Sequence, residues 1–278
     1  MSGYAHPEVL VETQWLIDHL NDPNVRIVEV DGSPEPYKDA HIPGAVFWNF
    51  FQDLLNPNLS MHLDPSAIAS VLSRSGITPE TTVIAYGSYP GTGAWIFWLL
   101  KTIGHENVLV LNGGHQKWVA EGRPLATDLA SFPPTHYKPT GLNSSLRVLQ
   151  PEVQAALNQP DHVFLDVRTT PEFKGRVFMI KPAEGTERGG HIPGAIHLEF
   201  SQTLNEDGTF KSVEELRSLF TQHGITPDKT IFPYCAVGGR SAFMWFVLKY
   251  LLGYPNVRNY DGSWNEWGRL PDTAIAQG

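Results

Sequence analysis

His41-Ile-Pro-Gly-Ala45 recurs without change as His191-Ile-Pro-Gly-Ala195, and this repeated pentapeptide divides the chain into two related halves. Two further matches follow in the same order: residues 77–86 are echoed by residues 225–234, and residues 112–118 by residues 261–267. Three matches in one order are not expected by chance. The simplest account is that the chain contains two copies of one domain.

The matches also suggest where the two domains begin and end. We expect the first domain at residues 1–140 and the second at residues 146–278, joined within the Pro-rich polar stretch 127–145. One charged insertion, residues 175–190, has no counterpart in the first half. It could shape access to a cleft, but we expect a solvated surface loop.

Within each half, apolar β-rich runs alternate with helix-like segments. The predicted strands are residues 26–30, 45–48, 82–86 and 108–111, then 162–167, 195–198, 230–234 and 257–260. The predicted helices are residues 11–20, 65–75 and 93–102, then 150–157, 212–223 and 241–252. This alternation predicts an α/β fold in which each domain is a parallel sheet with helices on both faces. Ligands bind such sheets beyond the carboxyl ends of the strands, where the loop after Tyr234 lies.

The bulk composition argues against several classes of function. A net charge of −9 and an isoelectric point near 5.6 argue against nucleic acid as a partner. The apolar stretches at 94–100 and 242–252 are too short to span a bilayer, and the N-terminus has no signal-peptide pattern. We therefore expect no membrane partner and a cytoplasmic protein. The single cysteine excludes an internal disulfide, and the eleven histidines lack metal-ligand spacing, so no metal or other cofactor is predicted.

Cys235 lies where a thiol is most reactive. It follows the predicted strand 230–234, opens the loop Ala236-Val-Gly-Gly239, and precedes Arg240 and a predicted helix. Free N–H groups at a helix N-terminus and the positive end of the helix dipole favour thiolate over thiol. The alternative is a buried core thiol, but a Gly-Gly pair followed by an arginine favours an open loop of donors. Aligning the repeats places Gly87 opposite Cys235, in a loop without nucleophile or arginine.

The same loop predicts how a substrate would be held. Its backbone N–H groups can bind an anion, and an arginine adds charge-assisted hydrogen bonds suited to a sulfonate. The expected substrate-binding residues are Arg240, Ala236, Val237, Gly238 and Gly239. A thiolate there can attack a sulfane sulfur and form a Cys235 persulfide, from which a second nucleophile collects the sulfur. No general acid is needed when the leaving group is a stable anion such as sulfite.

The chain resembles the tandem-domain rhodaneses, the thiosulfate and 3-mercaptopyruvate sulfurtransferases. The resemblance rests on an early signature at residues 37–45, repeated around His191, a closing signature at residues 257–267, and an active loop that begins at Cys235. It implies two tandem rhodanese-like domains, the first inactive and the second catalytic through a persulfide. It also implies a small-molecule sulfur donor and acceptor, with a thiol protein as an alternative acceptor.

The residues near the cysteine bear on which donor is used. Mercaptopyruvate enzymes typically have a Cys-Gly-x-Gly-Val-Thr loop, which this chain lacks. Arg240-Ser241 is similar to the loop end of some bacterial thiosulfate enzymes, whose arginine binds substrate. Ala236 and Val237 replace basic residues of the animal enzymes, and Glu172 stands where those have a substrate-binding arginine. The resemblance favours thiosulfate, with Arg240 as the main anion anchor and 3-mercaptopyruvate as the alternative donor.

Three further residues are candidates for lining the cleft: Arg168, Glu172 and Trp264. Each has a structural alternative. Arg168 could instead pair with Asp166, Glu172 could be a surface carboxylate, and Trp264 could be a core aromatic. The histidine that opens each repeated pentapeptide is expected to have a structural role in its turn.

Two rival functions stay open at this point. A cysteine-dependent phosphatase or arsenate reductase also uses a Cys…Arg loop at a helix N-terminus, but its loop is longer than Ala236 to Gly239. A persulfide carrier or regulatory module shares the first half-reaction with an enzyme. Since two domains of one chain could form the whole cleft, we expect a monomer.

Overall fold

The computed structural model describes residues 3–278, and the first half contains a five-stranded parallel sheet. Its strands are β1 (Leu10–Val11), β2 (Val25–Asp31), β3 (Val46–Asn49), β4 (Thr82–Tyr86) and β5 (Val108–Leu111). They lie in the order β1-β5-β4-β2-β3. Nearly every residue of β2 and β4 is buried, because central parallel strands are covered by helices on both faces. The predicted α/β architecture is confirmed.

The second half repeats this sheet in a reduced form. Its strands are β6 (His162–Asp166), β7 (Ile196–His197) and β8 (Thr230–Tyr234), in the parallel order β7-β6-β8. The strand predicted at residues 257–260 forms only isolated bridges, in which Val257 pairs with Ile231 and Asn259 with Arg147. Pro233 lies on the β8 side of this contact and has no N–H to donate, so a continuous ladder cannot form there.

Helices surround the two sheets. In the first half they are α1 (Thr13–His19), α2 (Glu35–Asp39), α3 (Phe50–Asp53), α4 (Pro65–Arg74), α5 (Thr92–Thr102) and α6 (Gly114–Ala120). In the second half they are α7 (Gln150–Ala155), α8 (Thr170–Phe173), α9 (Val213–Gln222), α10 (Gly239–Phe246) and α11 (Ser263–Trp267). A π-helical turn, Val247–Leu251, continues α10, so the predicted long helix is confirmed as two consecutive pieces.

Helices α5 and α10 pack against each other where the two halves meet. The central residues of α5 are buried all round its axis, as expected for a helix apolar on every face. The Phe97 ring of α5 lies 4.9 Å from the Phe246 ring of α10, and one hydrophobic cluster runs through both halves. The apolar stretches are therefore interior helices. In residues 3–278 no helix has the length and apolarity needed to cross a membrane.

The insertion at residues 175–190 is only partly the solvated loop that the sequence predicts. Its outer part is exposed, with Ile180 almost wholly in solvent. Its ends are anchored, because Phe178 is buried and the Arg188 guanidinium donates to the Thr273 carbonyl at 3.0 Å. The insertion therefore braces the C-terminal segment against the second half.

Candidate active site

Cys235 follows β8 directly and stands just before α10, and the residues of α11 fix the backbone around it. The Cys235 N–H donates to Ser263 Oγ at 3.0 Å, and the Cys235 carbonyl accepts from the Trp264 N–H at 3.0 Å. The Ala236 carbonyl accepts from the Asn265 N–H at 2.9 Å. The closing sequence motif, residues 257–267, therefore holds the backbone of the loop in place through hydrogen bonds.

The Cys235 sulfur lies among hydrogen-bond donors. The Gly238 N–H donates to Cys235 Sγ at 3.1 Å, and Ser263 Oγ lies 4.0 Å from the same sulfur. Gly238 has a φ of +90°, and a Cβ there would come within 2.6 Å of the Asp261 carbonyl oxygen, so only glycine fits. Helix α10 begins at the next residue, and the first N–H groups of a helix have no internal partners. The sulfur therefore lies beside a backbone donor at the N-terminal end of a helix.

A cleft of about 340 Å³ opens beside the thiol, between the two halves. The catalytic loop contributes Cys235, Ala236, Val237, Gly239 and Arg240 to its wall. The first half contributes aromatic side chains together with a carboxylate: Phe50, Phe51, Tyr89, Trp95 and Asp31. Sequence reasoning missed this second group. The alignment of the 87–93 loop with the Cys235 loop could have indicated Tyr89, but no local pattern marks the two phenylalanines.

Arg240 lines the cleft but is held by Glu172. Its Nη1 and Nη2 donate to the two carboxylate oxygens of Glu172 at 2.8 and 2.7 Å. Burial opposes both charges, yet these hydrogen bonds raise the pKa of Arg240 and hold that of Glu172 below its ordinary value. Glu172 also accepts from the Thr169 N–H at 2.9 Å, as the third residue of a capping box. The Thr-x-x-Glu pattern was visible in the sequence.

The structure corrects the three cleft-lining expectations. Glu172 is only 3% exposed and lies behind Arg240, neither in the cleft wall nor on the surface. Arg168 is fully buried. Its Nη2 donates to the Asp166 carboxylate at 2.6 Å and to the Gly190 carbonyl at 2.7 Å, which compensates for the burial of the charge. Trp264 is also buried, with its ring centroid 4.5 Å from the Arg168 guanidinium. Arg168 and Trp264 are therefore buried behind the loop and do not line the cleft.

The equivalent loop of the first half has no room for a nucleophile. A Cβ on Gly87 would lie 2.5 Å from the Val30 carbonyl oxygen and 2.9 Å from Thr92 Cβ. The cavity beside Gly87 holds only about 20 Å³. Even an alanine side chain would therefore clash at the position opposite Cys235.

The two repeated histidines occupy matching structural positions. His41 stacks on Tyr37 with ring centroids 3.9 Å apart, and His191 stacks on Phe173 at 3.8 Å. Each Nδ1 lies within hydrogen-bond distance of a carbonyl oxygen of the residue on which the ring stacks. This geometry suits a structural role in the turn. Among residues 3–278 no group of three or more His, Cys, Asp or Glu side chains is placed to hold a metal ion.

The Rhodanese-like domain family matches the chain twice, at residues 12–121 and at residues 149–270. The chain belongs to the rhodanese family. It is 45% identical to "Sulfur carrier protein TtuD" of Thermus thermophilus and 41% identical to "Putative thiosulfate sulfurtransferase 1" of Mycobacterium bovis, each over 99% of both chains. These relatives and the paired rhodanese domains confirm the sequence-based expectation of persulfide sulfur transfer by a tandem-domain rhodanese.

Two solved structures have a similar architecture. The anaerobic ergothioneine biosynthesis enzyme from Chlorobium limicola, solved with its natural substrate trimethyl histidine, matches with a TM-score of 0.87 at 26% identity. The match covers all of this rhodanese chain and 72% of that chain. A related structure of EanB, with a TM-score of 0.85 and 26% identity, contains ergothioneine covalently linked with a cysteine persulfide. That match covers 98% of this chain and 70% of the other.

Proposed function

We propose that this rhodanese takes sulfane sulfur from thiosulfate onto Cys235 and passes it to a thiol or to cyanide. The observation that carries the proposal is the position of Cys235: its Sγ accepts from the Gly238 N–H, and the residue, although only 1% exposed, lines the same cleft as Arg240. The relatives named "Putative thiosulfate sulfurtransferase" support the choice of donor. The catalytic domain is the second one, at 146–278, and the domain at 1–140 contributes cleft wall.

The reaction divides into two displacements at sulfur. In the first, the Cys235 thiolate attacks the outer sulfur of thiosulfate, a Cys–S–S bond forms, and sulfite leaves with the electron pair of the broken S–S bond. In the second, the acceptor attacks the terminal sulfur and the electron pair returns to Cys235 Sγ. Neither step needs an oxidant or a general acid.

Arg240 can bind the donor without leaving Glu172. A guanidinium has five N–H donors, and Glu172 takes two of them. The remaining donors are free to meet a sulfonate oxygen as it enters the cleft. The charge of Glu172 opposes a second anion at the same guanidinium, so we expect thiosulfate to bind with modest affinity.

The test is mass spectrometry after incubation with thiosulfate. Since Cys235 is the only cysteine, a gain of one sulfur mass locates the persulfide there. Cys235→Ser should show neither the gain in mass nor turnover, while keeping the fold. The protein without substitutions, the parent, should also have a higher kcat/KM for thiosulfate than for 3-mercaptopyruvate. Sulfur transfer by Cys235→Ser would overturn the mechanism, and a preference for 3-mercaptopyruvate would overturn the choice of donor.

A persulfide carrier is the second candidate, because the relative with 45% identity is named a sulfur carrier protein. A carrier would load Cys235 equally well but would discharge slowly to small acceptors. Rapid transfer to cyanide or a small thiol, without any protein partner, favours the enzyme. Since one chain contains the whole cleft, we propose that it acts as a monomer, which sedimentation can check.

A further inference from the structure

The cleft is larger than the small anions that rhodanese chemistry requires. Its volume of about 340 Å³ falls in the range of pockets that enclose organic ligands. Thiosulfate or cyanide would fill only the part next to Cys235 and Arg240. The remaining space is available to the acceptor in the second half-reaction.

Aromatic rings form the walls of that remaining space. The ring centroid of Phe50 lies 4.7 Å from that of Trp95 and 4.8 Å from that of Phe51. Tyr89 and Phe200 form a second pair, with centroids 5.8 Å apart. Phe51 and Tyr89 are 56% and 54% exposed, so their ring surface is available to a ligand. Aromatic walls favour flat apolar groups and also attract cations through their π faces.

The charges of the cleft select against a second anion. Among residues 3–278, Arg240 is the one cation that lines the cleft, and Glu172 already pairs with it. Asp31 is the one carboxylate in the wall, where it accepts from the Gly32 N–H at 2.7 Å and from the Ser88 hydroxyl. The Cys235 persulfide, like the thiolate from which it forms, carries one more negative charge. The loaded cleft is therefore negative overall and attracts a positively charged acceptor.

We propose that the sulfur acceptor of this protein is a thiol on an organic cation with an aromatic body, and this rests on the proposed function. Its ring lies between the aromatic walls, and its positive charge faces Asp31. The acceptor thiolate attacks the terminal sulfur of the Cys235 persulfide, a new S–S bond forms, the bond to Cys235 Sγ breaks, and its electron pair stays on Sγ. No oxidant or reductant is needed.

The experiment separates loading from discharge. The full-length protein is first loaded with thiosulfate, or with inorganic polysulfide if thiosulfate fails, and the persulfide is verified by mass. Single-turnover discharge is then measured with three matched thiols: 4-(aminomethyl)benzyl mercaptan, benzyl mercaptan and 4-carboxybenzyl mercaptan. We expect the cationic thiol to react fastest and the anionic thiol slowest, with a ratio of about tenfold between them. Cysteamine, a cation without a ring, should be slower than the cationic benzyl thiol.

Two variants test the residues that carry the proposal. Asp31→Asn keeps an acceptor for the Gly32 N–H but removes the charge, so the cation-to-anion rate ratio should fall towards one. Asp39→Asn removes the same charge from an exposed position in α2 and should keep the ratio of the parent. Phe51→Ala should reduce the advantage of the cationic benzyl thiol over cysteamine.

The outcomes distinguish this inference from the proposed function. If thiosulfate fails to load Cys235 but polysulfide succeeds, the choice of donor is wrong and the acceptor order is still measured. If the persulfide forms but the three benzyl thiols discharge it equally, the acceptor proposal is overturned while sulfur transfer stands. An unchanged ratio in Asp31→Asn, or failure of both donors to load the protein, also overturns the acceptor proposal.

Discussion

Arg240 and Glu172 form the buried ion pair beside the cleft, and we expect this pair to set how strongly the cleft binds anions. Glu172 occupies two N–H groups of Arg240 and keeps a negative charge next to the position of an incoming sulfonate. At the same time it caps α8 through Thr169, so its position is fixed by the helix as well as by the ion pair. We therefore expect the pair to limit the affinity for an anionic donor.

Glu172→Gln should strengthen thiosulfate binding. Glutamine can still accept from the Thr169 N–H, but it no longer opposes a sulfonate at Arg240. We expect KM for thiosulfate to fall about tenfold, which corresponds to about 1.4 kcal/mol. Steady-state kinetics at varied thiosulfate concentration measure this change.

Glu152 provides a matched control for this substitution. Glu152 also accepts from the backbone N–H of the residue before its helix, at 3.1 Å from Leu149 before α7, and it also pairs with an arginine, Arg258, but away from the cleft. Glu152→Gln should leave KM as in the parent. A KM that does not fall in Glu172→Gln, or that falls equally in both variants, would contradict the role given to Glu172.

Glu29 makes the stability of the protein depend on pH. Burial raises the pKa of Glu29 to about 7, although the Tyr86 hydroxyl donates to it. The pKa of Glu29 in the folded state lies above its ordinary value of 4.5. The contribution of Glu29 to the free energy of unfolding is therefore complete at pH values below 4.5 and is lost as the pH rises through 7. Relative to the parent, Glu29→Gln should gain about 3 kcal/mol in the free energy of unfolding between pH 4 and pH 8.

Denaturant unfolding at a series of pH values checks this expectation. Glu35 in α2 is an exposed control, since a hydrogen bond from the Ser33 hydroxyl lowers its pKa. Glu35→Gln should show no comparable gain between the two pH values. A flat difference between parent and Glu29→Gln would show that Glu29 does not titrate as a buried acid.

At the scale of secondary-structure elements, the site is the junction of β8, α10 and α11. The strand delivers Cys235, the first turn of α10 provides donors, and α11 holds the carbonyls of Cys235 and Ala236 from the other side. This explains why the closing sequence motif accompanies the cysteine loop although Trp264 does not line the cleft. The motif is needed for the loop conformation.

Gly238→Ala should disrupt the junction. The new Cβ would clash with the Asp261 carbonyl oxygen at 2.6 Å and with Met61 Cε at 2.7 Å, in addition to the strain of a positive φ. We expect a loss of more than about 2 kcal/mol in stability and a large loss of persulfide formation.

Gly224→Ala is a control that has the backbone strain of a positive φ without a steric clash at Cβ. Gly224 has a φ of +71° but nothing within 4 Å of its Cβ position. Gly224→Ala should lower the free energy of unfolding by only about 1 kcal/mol, and this variant should still form the persulfide. Thermal unfolding and mass spectrometry of both variants measure the two effects, and equal behaviour would contradict the close packing around Gly238.

At the scale of the whole molecule, the two halves share one core through α5 and α10. The Phe97 ring lies 4.9 Å from Phe246 and 4.8 Å from Tyr250, both in the second half. Because the cleft lies at the same interface, its shape depends on this packing. The halves are therefore expected to unfold together.

Phe97→Ala should destabilise both halves at once. Removing a fully buried ring lowers the free energy of unfolding by about 3–5 kcal/mol. Because Phe97 contacts residues of the second half, both halves should be destabilised. Phe51→Ala, at an exposed ring, should cost much less. Circular dichroism in the far and near ultraviolet should give one coincident transition in the parent and in Phe97→Ala, whereas two separate transitions would contradict a shared core.

Short-range patterns were enough to predict the architecture. The strands at 82–86, 108–111 and 230–234 were predicted to the residue, because each is an apolar run bounded by turn residues. The prediction of a strand at 257–260 was wrong. Residues of this segment form only isolated bridges, because Pro233 of the neighbouring strand has no N–H to donate. The roles of Cys235 and Arg240 stay predictions, with a geometry that suits them.

The sequence by itself determined that the chain is a tandem α/β repeat with a single cysteine, whose loop ends at Arg240, because repeats, turns and strand runs are encoded in short segments. Only the tertiary structure decided which partner Arg240 takes, that Arg168 and Trp264 are buried, and that aromatic residues of the first half form the wall opposite Cys235. Those features arise from contacts between segments far apart in the chain, and no local pattern records which side chains meet when the two halves pack.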